Sequence, residues 1–328
     1  MGSFSSSPFR RVRGFLALGA IIVMTVAMGV AAAVAAAWIY FHPQHEWTRG
    51  IVYGERNGTE LTIDIVKPAT PNGVGVVFVV SGGWKSGTGS FQPWLAAPLL
   101  RHGYTVFPVY HLSQPDASVS EIFEDVSRGV RFVRAHASDY GIDPERLGVT
   151  GGSAGGHLSL MLATRGGPGP ADADDDVSRA SSSVQSVAIF YPVTDLTDLT
   201  GSTEYTGEGQ PPKSFLKAFR QEPLDLPRWK ETSQALSPIL HLSDSLPPTL
   251  IHHGNADTLV PFSQSKRFVD KAQQLGCTAS LKEVADAGHG WLTMPLDIMT
   301  FADWFDRTLL PVAAAGSPAA AVGSEAAP

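Results

Sequence analysis

Residues 146–160, RLGVTGGSAGGHLSL, place the pattern G-x-S-x-G between a short β-branched run and a helical pattern. In that setting the pattern forms a sharp turn from strand to helix, for which the small residues Gly151 and Gly155 leave room. The turn lifts the hydroxyl of Ser153 to the carboxyl edge of the sheet, and the amide of Ala154 then points at an oxyanion formed there. This stretch therefore predicts a nucleophilic serine.

The chain around this stretch alternates short β-branched runs with helical patterns, which is typical of a parallel or mixed sheet covered on both faces. Val74–Val80 is continuously apolar and predicts a central strand, whereas Leu61–Val66 alternates with polar residues and predicts an outer, antiparallel strand. The other predicted strands are Tyr104–Tyr110, Arg146–Thr150, Val184–Tyr191, Thr249–His253 and Ala279–Val284. The predicted helices are Ser118–His136, Ser153–Thr164, Pro261–Leu275 and Pro295–Leu309. The sequence thus predicts an α/β fold with a mostly parallel central sheet.

A serine alcohol is a poor nucleophile, so it needs a histidine base, and the histidine needs a carboxylate to fix its tautomer. In folds with this turn the chain order is serine, acid, histidine. Asp257 follows one predicted strand and His289 follows the last one, so both are expected in loops at the edge that carries Ser153. Asp286, three residues before His289, is the alternative acid. His157 and His252 are interpreted as packing residues.

The third candidate element is the glycine pair Gly82 and Gly83, at the end of the predicted central strand. A glycine pair there lets the backbone approach a substrate carbonyl and supply a second oxyanion amide. A plain turn is the alternative interpretation of the same two residues.

From about Tyr53 to Leu309 the chain resembles the α/β-hydrolase esterases of the hormone-sensitive lipase and feruloyl-esterase-like (BD-FAE-like) type. The stretches that carry the resemblance are SGGW, YGIDPERLGVTGGSAGGHLSL, HHGNADTLVP and AGHGW. The resemblance assigns the catalytic triad to Ser153, Asp257 and His289, and the oxyanion amides to Gly82, Gly83 and Ala154. The family commonly has H-G-G-G-W where this chain has Val80 and Ser81 before the glycine pair, which leaves the orientation of that loop open.

The resemblance implies a serine hydrolase that cleaves carboxylic esters through an acyl-enzyme and needs no cofactor or metal. Two alternatives stay open. One is a peptidase of the prolyl-oligopeptidase kind, which usually carries a large β-domain before the catalytic domain. The other is a catalytically inactive binding module on the same fold.

The amino-terminal part of the chain predicts export. No charged residue occurs in residues 14–41, which is enough length to span a bilayer, and Arg10, Arg11 and Arg13 precede this run. Arginines there favour an amino terminus in the cytoplasm and a body on the far side of the membrane. A cleaved signal peptide is the alternative, because residues 35–37 are small. Either way the catalytic domain is expected outside the cytoplasm.

The predicted organisation is a basic segment (1–13), an anchor or signal peptide (14–41), a catalytic domain (45–310) and a disordered tail (311–328). Within the catalytic domain, residues 195–246 lie between two predicted strands, where hydrolases of this fold carry a lid. This insertion has aromatic residues but no long apolar face, so a small soluble ester with a short acyl group is the predicted substrate. Acetyl and feruloyl esters are the expected examples.

Composition excludes several other classes of protein. The net charge is -7 at pH 7, without a basic block beyond the first residues, which argues against a nucleic-acid partner. Cys277 is the single cysteine and cannot form an internal disulfide. The carboxylates between Asp172 and Asp176 lack the spacing of a calcium loop, so a solvated loop is expected there.

Overall fold

A computed structural model describes residues 8–205, 207 and 209–310 of the chain. The chain divides into two compact units between Gln44 and His45. The first unit contains helix α1 (Pro8–Phe41), of which Ile21–Phe41 is long and apolar enough to cross a membrane. A signal sequence meets the same criterion, so the helix alone does not decide between anchor and signal peptide. The predicted disordered tail, 311–328, lies outside the described residues.

The second unit is built on one sheet of eight strands in the spatial order β1-β2-β4-β3-β5-β6-β7-β8. The strands are β1 (His45–Arg56), β2 (Thr59–Pro68), β3 (Gly75–Val79), β4 (Thr105–Val109), β5 (Leu147–Gly152), β6 (Ser186–Phe190), β7 (Thr249–Gly254) and β8 (Ala279–Val284). β1 and β2 pair antiparallel, as do β2 and β4, and every other pair is parallel. The predicted α/β fold with a mostly parallel sheet is confirmed.

Helices cover both faces of this sheet. They are α2 (Ala97–Arg101), α3 (Val119–Ala135), α4 (Ala137–Tyr140), α5 (Ala154–Arg165), α6 (Asp176–Arg179), α7 (Lys213–Ala218), α8 (Leu226–Ala235), α9 (Phe262–Gln274) and α10 (Met294–Leu309). Two separate clusters of buried residues form the core. One contains side chains of α3, α5 and α9, and the other contains side chains of α2 and α10. The central strands are therefore buried on both faces, as their continuous apolar character predicts.

Helix α3 shows how local sequence sets the bounds of an element. Ser118 accepts a hydrogen bond from the amide of Glu121, and the Glu121 carboxylate accepts one from the amide of Ser118. This reciprocal capping box satisfies two of the amides that a helix leaves unpaired at its start. Ile122, Val126 and Val130 then recur on one face and are completely buried, so the helix packs against the sheet along this apolar stripe.

Strand β1 is the main element that the sequence did not predict. Its sequence, HEWTRGIVYGER, has no continuous apolar run, and its register against β2 shifts between Thr48 and Ile51 and again between Val52 and Gly54. Such irregularities interrupt the alternation of inward and outward side chains from which a strand is recognised. The edge position explains why a strand with so many polar residues is tolerated.

The insertion, residues 195–246, is partly helical. It contains α7 and α8, and the Asp225 side chain caps α8 by accepting a hydrogen bond from the Arg228 amide. Its aromatic residues divide into two groups: Phe219 and Trp229 are buried in the core, whereas Phe215 lines a cavity above Ser153. The aromatic residues of the insertion therefore serve two purposes: some pack it onto the core and others form the wall of the cavity.

Candidate active site

Ser153 lies between β5 and α5, with backbone angles of φ 55° and ψ −119°. A side-chain-bearing residue rarely adopts such a conformation, and strain of this kind persists only where the surroundings enforce it. Here they do: a Cβ atom at Gly155 would lie 2.5 Å from the carbonyl oxygen of Val79, and one at Gly151 would lie 2.8 Å from the backbone of Gly155. Because only glycine fits at both positions, the G-x-S-x-G pattern allows the tight turn that exposes the serine.

The structure brings together the serine, the histidine and the acid that the sequence singled out. Nε2 of His289 lies 2.9 Å from Oγ of Ser153, and Nδ1 of His289 lies 2.7 Å from Oδ2 of Asp257. The three residues come from loops after β5, β7 and β8, whose carboxyl ends share one edge of the sheet. A carboxylate on Nδ1 leaves the Nε2 lone pair facing the serine hydroxyl, which is the arrangement a general base needs.

Asp257 is buried and held by four groups. Its Oδ1 accepts hydrogen bonds from the amides of Leu259 and Val260, and its Oδ2 lies 2.7 Å from His289 and 3.3 Å from Nε2 of His253. Burial alone would raise the pKa of Asp257, but the hydrogen bonds from the two histidines outweigh burial and hold the pKa well below its usual range. The carboxylate is therefore ionised at neutral pH.

The alternative acid, Asp286, lies apart from His289. Its side chain is exposed, and its backbone amide donates to Oδ1 of Asn255. Among the described residues, His289 forms its side-chain hydrogen bonds with Asp257 and Ser153, and no hydrogen bond or ion pair joins it to Asp286.

The glycine pair forms a tight turn in front of Ser153. Gly82 and Lys85 exchange two backbone hydrogen bonds of 2.9 and 3.0 Å, and the two residues between them, Gly83 and Trp84, have φ angles of 54° and 56°. Positive φ at both central residues is the signature of a type I′ turn. The two hydrogen bonds that close the turn join Gly82 and Lys85, so they do not use the amide of its first central residue, Gly83.

This turn corrects one predicted oxyanion donor. The amide of Gly82 donates to the carbonyl of Lys85, so it has no hydrogen left for a substrate. The amides of Gly83 and Ala154 have no acceptor among the residues that the structure describes, and both residues line the cavity above Ser153. Two of the three predicted amides thus have the free hydrogen that an oxyanion donor requires.

The departure at Val80 and Ser81 is accommodated by His111, which lies two residues after the neighbouring strand β4. Oγ of Ser81 lies 2.9 Å from Nε2 of His111, and Nδ1 of His111 donates to the carbonyl of Leu112. Burial lowers the pKa of His111 to about 4, against the opposing effect of the Leu112 hydrogen bond, so the imidazole is neutral and accepts the serine hydroxyl. The Ser81 carbonyl also accepts the amide of Gly155. The loop is therefore tied both to β4 and to the start of α5.

A cavity of about 630 Å³ opens above Ser153. Its walls are mostly apolar, and they include Tyr191, Val193, Leu199, Phe215, Leu259 and Val260. The ring of Tyr191 lies against the imidazole of His289, with the ring centroids 4.5 Å apart. Neither Tyr191 nor His111 was predicted from the sequence to belong to the site. Each is an aromatic or polar residue just after a buried strand, and that position is the sequence feature from which they could have been found.

The histidines interpreted as packing residues are buried. His157 lies between Trp84 and the carbonyl of Leu236, and His252 lies 3.1 Å from the Thr300 hydroxyl. Within the described residues, one group of potential metal ligands has its ligand atoms close together, formed by His102, Asp303 and Asp306. The Asp172–Asp176 run is not part of it: Asp175 caps α6 and Asp176 pairs with Arg179.

The chain is similar in sequence to proteins that are named as esterases. It is 32% identical over 207 residues to a Mycobacterium tuberculosis protein named "Probable carboxylic ester hydrolase LipM", which corresponds to 61% of this chain and 45% of the relative. It is 27% identical to a "Probable isoprenylcysteine alpha-carbonyl methylesterase" of Arabidopsis thaliana over 71% of this chain and 48% of the relative. The chain spans about half the length of the curated relatives it matches.

Solved structures give the same fold. A truncated carbohydrate esterase from gut microbiota superposes with a TM-score of 0.66 at 22% identity, covering 80% of this chain and 96% of the other. A Thermogutta terrifontis esterase with bound propionate superposes with a TM-score of 0.64 at 25% identity, covering 82% and 97%. The BD-FAE family model matches residues 63–272, which is more than half of the sequence. The chain therefore belongs to the BD-FAE family of α/β-hydrolase esterases.

Proposed function

We propose that this protein hydrolyses carboxylic esters through an acyl-enzyme formed on Ser153. The observation that carries the proposal is the continuous hydrogen-bonded series from Ser153 through His289 to Asp257, at the floor of a cavity. The esterase names of the relatives support the same reaction class. An inactive binding module would have no need for this alignment of three residues from three separate loops.

In the first half of the reaction, Oγ of Ser153 attacks the ester carbonyl while Nε2 of His289 takes the hydroxyl proton. The carbonyl oxygen becomes an oxyanion, which the amides of Gly83 and Ala154 stabilise with the positive end of α5. Asp257 stabilises the imidazolium by accepting from Nδ1. Collapse of the tetrahedral intermediate breaks the bond to the alcohol oxygen, which leaves with the proton from His289.

In the second half, a water molecule replaces the alcohol. His289 takes a proton from that water as its oxygen attacks the acyl carbon, and the same two amides stabilise the second oxyanion. Collapse breaks the bond between the acyl carbon and Oγ of Ser153, and the proton returns to the serine. The products are a carboxylic acid and an alcohol, and the enzyme is restored.

We further propose that the substrate is a small ester with a short acyl group, such as an acetyl ester, on a sugar or aromatic alcohol. A cavity of about 630 Å³ with mostly apolar walls suits a ligand of that size. The insertion presents short helices, α7 and α8, and not a long apolar face of the kind an interfacial lipase needs. The bound propionate in the Thermogutta terrifontis esterase supports a short acyl group.

We infer that the catalytic unit works outside the cytoplasm. The support is helix α1, whose segment Ile21–Phe41 has the length and composition of a membrane span and follows three arginines in the sequence. Export would place the esterase next to environmental or cell-envelope material.

The decisive experiment measures kcat/KM on p-nitrophenyl esters with acyl chains of two to sixteen carbons, for the wild type and for Ser153→Ala. The wild type should prefer the short chains. The variant should stay folded and lose on the order of 10⁴- to 10⁶-fold in rate, as is usual when a triad serine is removed. A folded variant with more than a tenth of wild-type activity would remove Ser153 as the nucleophile. An optimum at twelve carbons or more, rising on emulsified substrate, would indicate a lipase.

A further inference from the structure

Trp84 occupies an unfavourable backbone position in the turn that presents the Gly83 amide. Its φ is 56°, in the left-handed region that bulky side chains avoid and that glycine adopts freely. A type I′ turn would form more easily with a small residue in this place. Contacts with residues outside the turn therefore have to hold Trp84 in this conformation.

Four neighbouring residues fix Trp84. Its indole Nε1 donates to Nδ1 of His157 at 3.2 Å, and its backbone carbonyl accepts the amide of Gln114 at 3.0 Å. Its ring makes edge contacts with Phe215 and Phe219, with centroid distances of 4.9 and 5.0 Å. The side chain is 4% exposed. Trp84 is thus held on one side by α5, which begins at the nucleophile, and on the other side by the insertion.

His157 is fixed as an acceptor for the indole. Its Nε2 lies 2.8 Å from the carbonyl oxygen of Leu236, which can only accept, so Nε2 carries the hydrogen and Nδ1 carries the lone pair. Burial lowers the pKa of His157 to about 4, despite the opposing effect of the Leu236 hydrogen bond, so the ring stays neutral around neutral pH. Leu236 directly follows α8 in the insertion. The insertion therefore reaches Trp84 both directly, through its phenylalanines, and through His157.

We propose that Trp84 is a positioning residue for ester hydrolysis: anchored by His157 and by the insertion, it holds the Gly83 amide where the oxyanion forms. The inference rests on the proposed function. The turn is closed at Gly82 and Lys85 by two backbone hydrogen bonds, so its remaining freedom lies in Gly83 and Trp84. Once Trp84 is fixed, only the flexible glycine is left to move. The insertion would then act on the chemical step, in addition to forming the cavity wall.

A simpler role for Trp84 makes a different prediction. Trp84 also lines the cavity, so its ring could contact the substrate alone. Loss of a substrate contact weakens the binding of the ground state and of the transition state equally. Such a loss raises KM and leaves kcat unchanged. Loss of amide positioning weakens binding of the oxyanion only, which lowers kcat. The separation of kcat from KM therefore distinguishes the two roles.

The test compares Trp84→Phe with Trp94→Phe as the matched control, because Trp94 is 39% exposed and lies outside the cavity. Trp84→Phe keeps an aromatic ring but loses the N–H donor. With p-nitrophenyl butyrate we expect kcat to fall about three- to tenfold, as for one lost hydrogen bond, with KM within about twofold.

His157→Gln keeps one acceptor and one donor, so it should retain kcat within about threefold, whereas His157→Leu should resemble Trp84→Phe.

A second readout reports on the oxyanion directly. A short alkyl trifluoromethyl ketone forms an adduct on serine that carries an oxyanion, so its Ki should rise in Trp84→Phe by the factor by which kcat/KM falls. A raised KM with unchanged kcat, or a reduced kcat with an unchanged Ki, would overturn the positioning role while leaving the esterase proposal intact. A wild type without esterase activity would overturn the proposed function, and this inference with it.

Discussion

Nδ1 of His289 lies 2.7 Å from Oδ2 of Asp257, although 32 residues separate them in the chain. The contact forms because β7 and β8 are neighbouring parallel strands, and Asp257 and His289 are in the loops that follow them. The same carboxylate is buried and accepts two backbone amides. Asp257 is therefore an ionised and immobile partner, which can hold one tautomer and one orientation of the imidazole.

Asp257→Asn should reduce kcat on p-nitrophenyl acetate by on the order of 10⁴-fold at neutral pH, because an amide favours the wrong histidine tautomer. Asp286→Asn, in the same region but exposed and away from His289, should stay within about twofold of the wild type. The comparison uses purified variants with matched circular dichroism spectra. If Asp286→Asn loses more activity than Asp257→Asn, Asp286 is the triad acid.

Ser81→Ala should destabilise the protein by about 1–3 kcal/mol, because it leaves the buried Nε2 of His111 without its hydrogen-bond donor. The midpoint of urea unfolding at pH 7 measures this. Ser120→Ala is the control, since Ser120 is exposed on α3 and should change stability by less than about 0.5 kcal/mol. Equal effects of the two substitutions would show that the Ser81–His111 contact contributes nothing to stability.

Stability should fall as the pH is lowered from 6.5 towards 4. Burial lowers the pKa of His157 to about 4 in the folded protein, compared with an ordinary value of 6.5, so between these values the unfolded chain binds more protons than the folded protein. The stabilising contribution is thus complete above pH 6.5 and is lost as the pH falls through this window. For His157 alone the loss between pH 7 and pH 5 is about 2 kcal/mol.

His157→Gln tests the source of this pH dependence, because glutamine does not titrate. The decrease in unfolding free energy between pH 7 and pH 5 should be smaller in the variant by about 2 kcal/mol. Urea denaturation at both pH values provides the comparison. An identical decrease in wild type and variant would mean that His157 titrates normally in the folded protein.

The full-length protein should sediment with membranes and be released by detergent but not by high salt, since α1 contains a segment of 21 residues suited to span a bilayer. Membrane fractionation with an antibody against the catalytic unit tests this. A soluble form whose first residue is Trp38 would show instead that the segment is a cleaved signal peptide.

The sequence alone determined the fold class and the residue types of the site. Central strands such as β3 and β6 are buried on both faces, so their composition is continuously apolar and easy to recognise. Glycine is required at positions 151 and 155 because a Cβ atom there would lie 2.8 and 2.5 Å from neighbouring backbone atoms. A steric requirement of that kind appears in the sequence as a fixed pattern of glycines. Because parallel strands end at a common edge, motifs that follow strands could also be expected to lie together.

Tertiary structure decided which of the candidate groups are available for chemistry. The sequence preferred Asp257 to Asp286 as the acid because Asp257 follows a predicted strand, and the tertiary structure adds the contact between Asp257 and His289. The amide of Gly82 donates to the carbonyl of Lys85, whereas that of Gly83 has no acceptor among the described residues, a difference that depends on how one turn closes. The anchoring of Trp84 by His157 joins residues 73 positions apart. Such contacts depend on distances and on hydrogen-bond partners across the fold, which the order of residues does not encode locally.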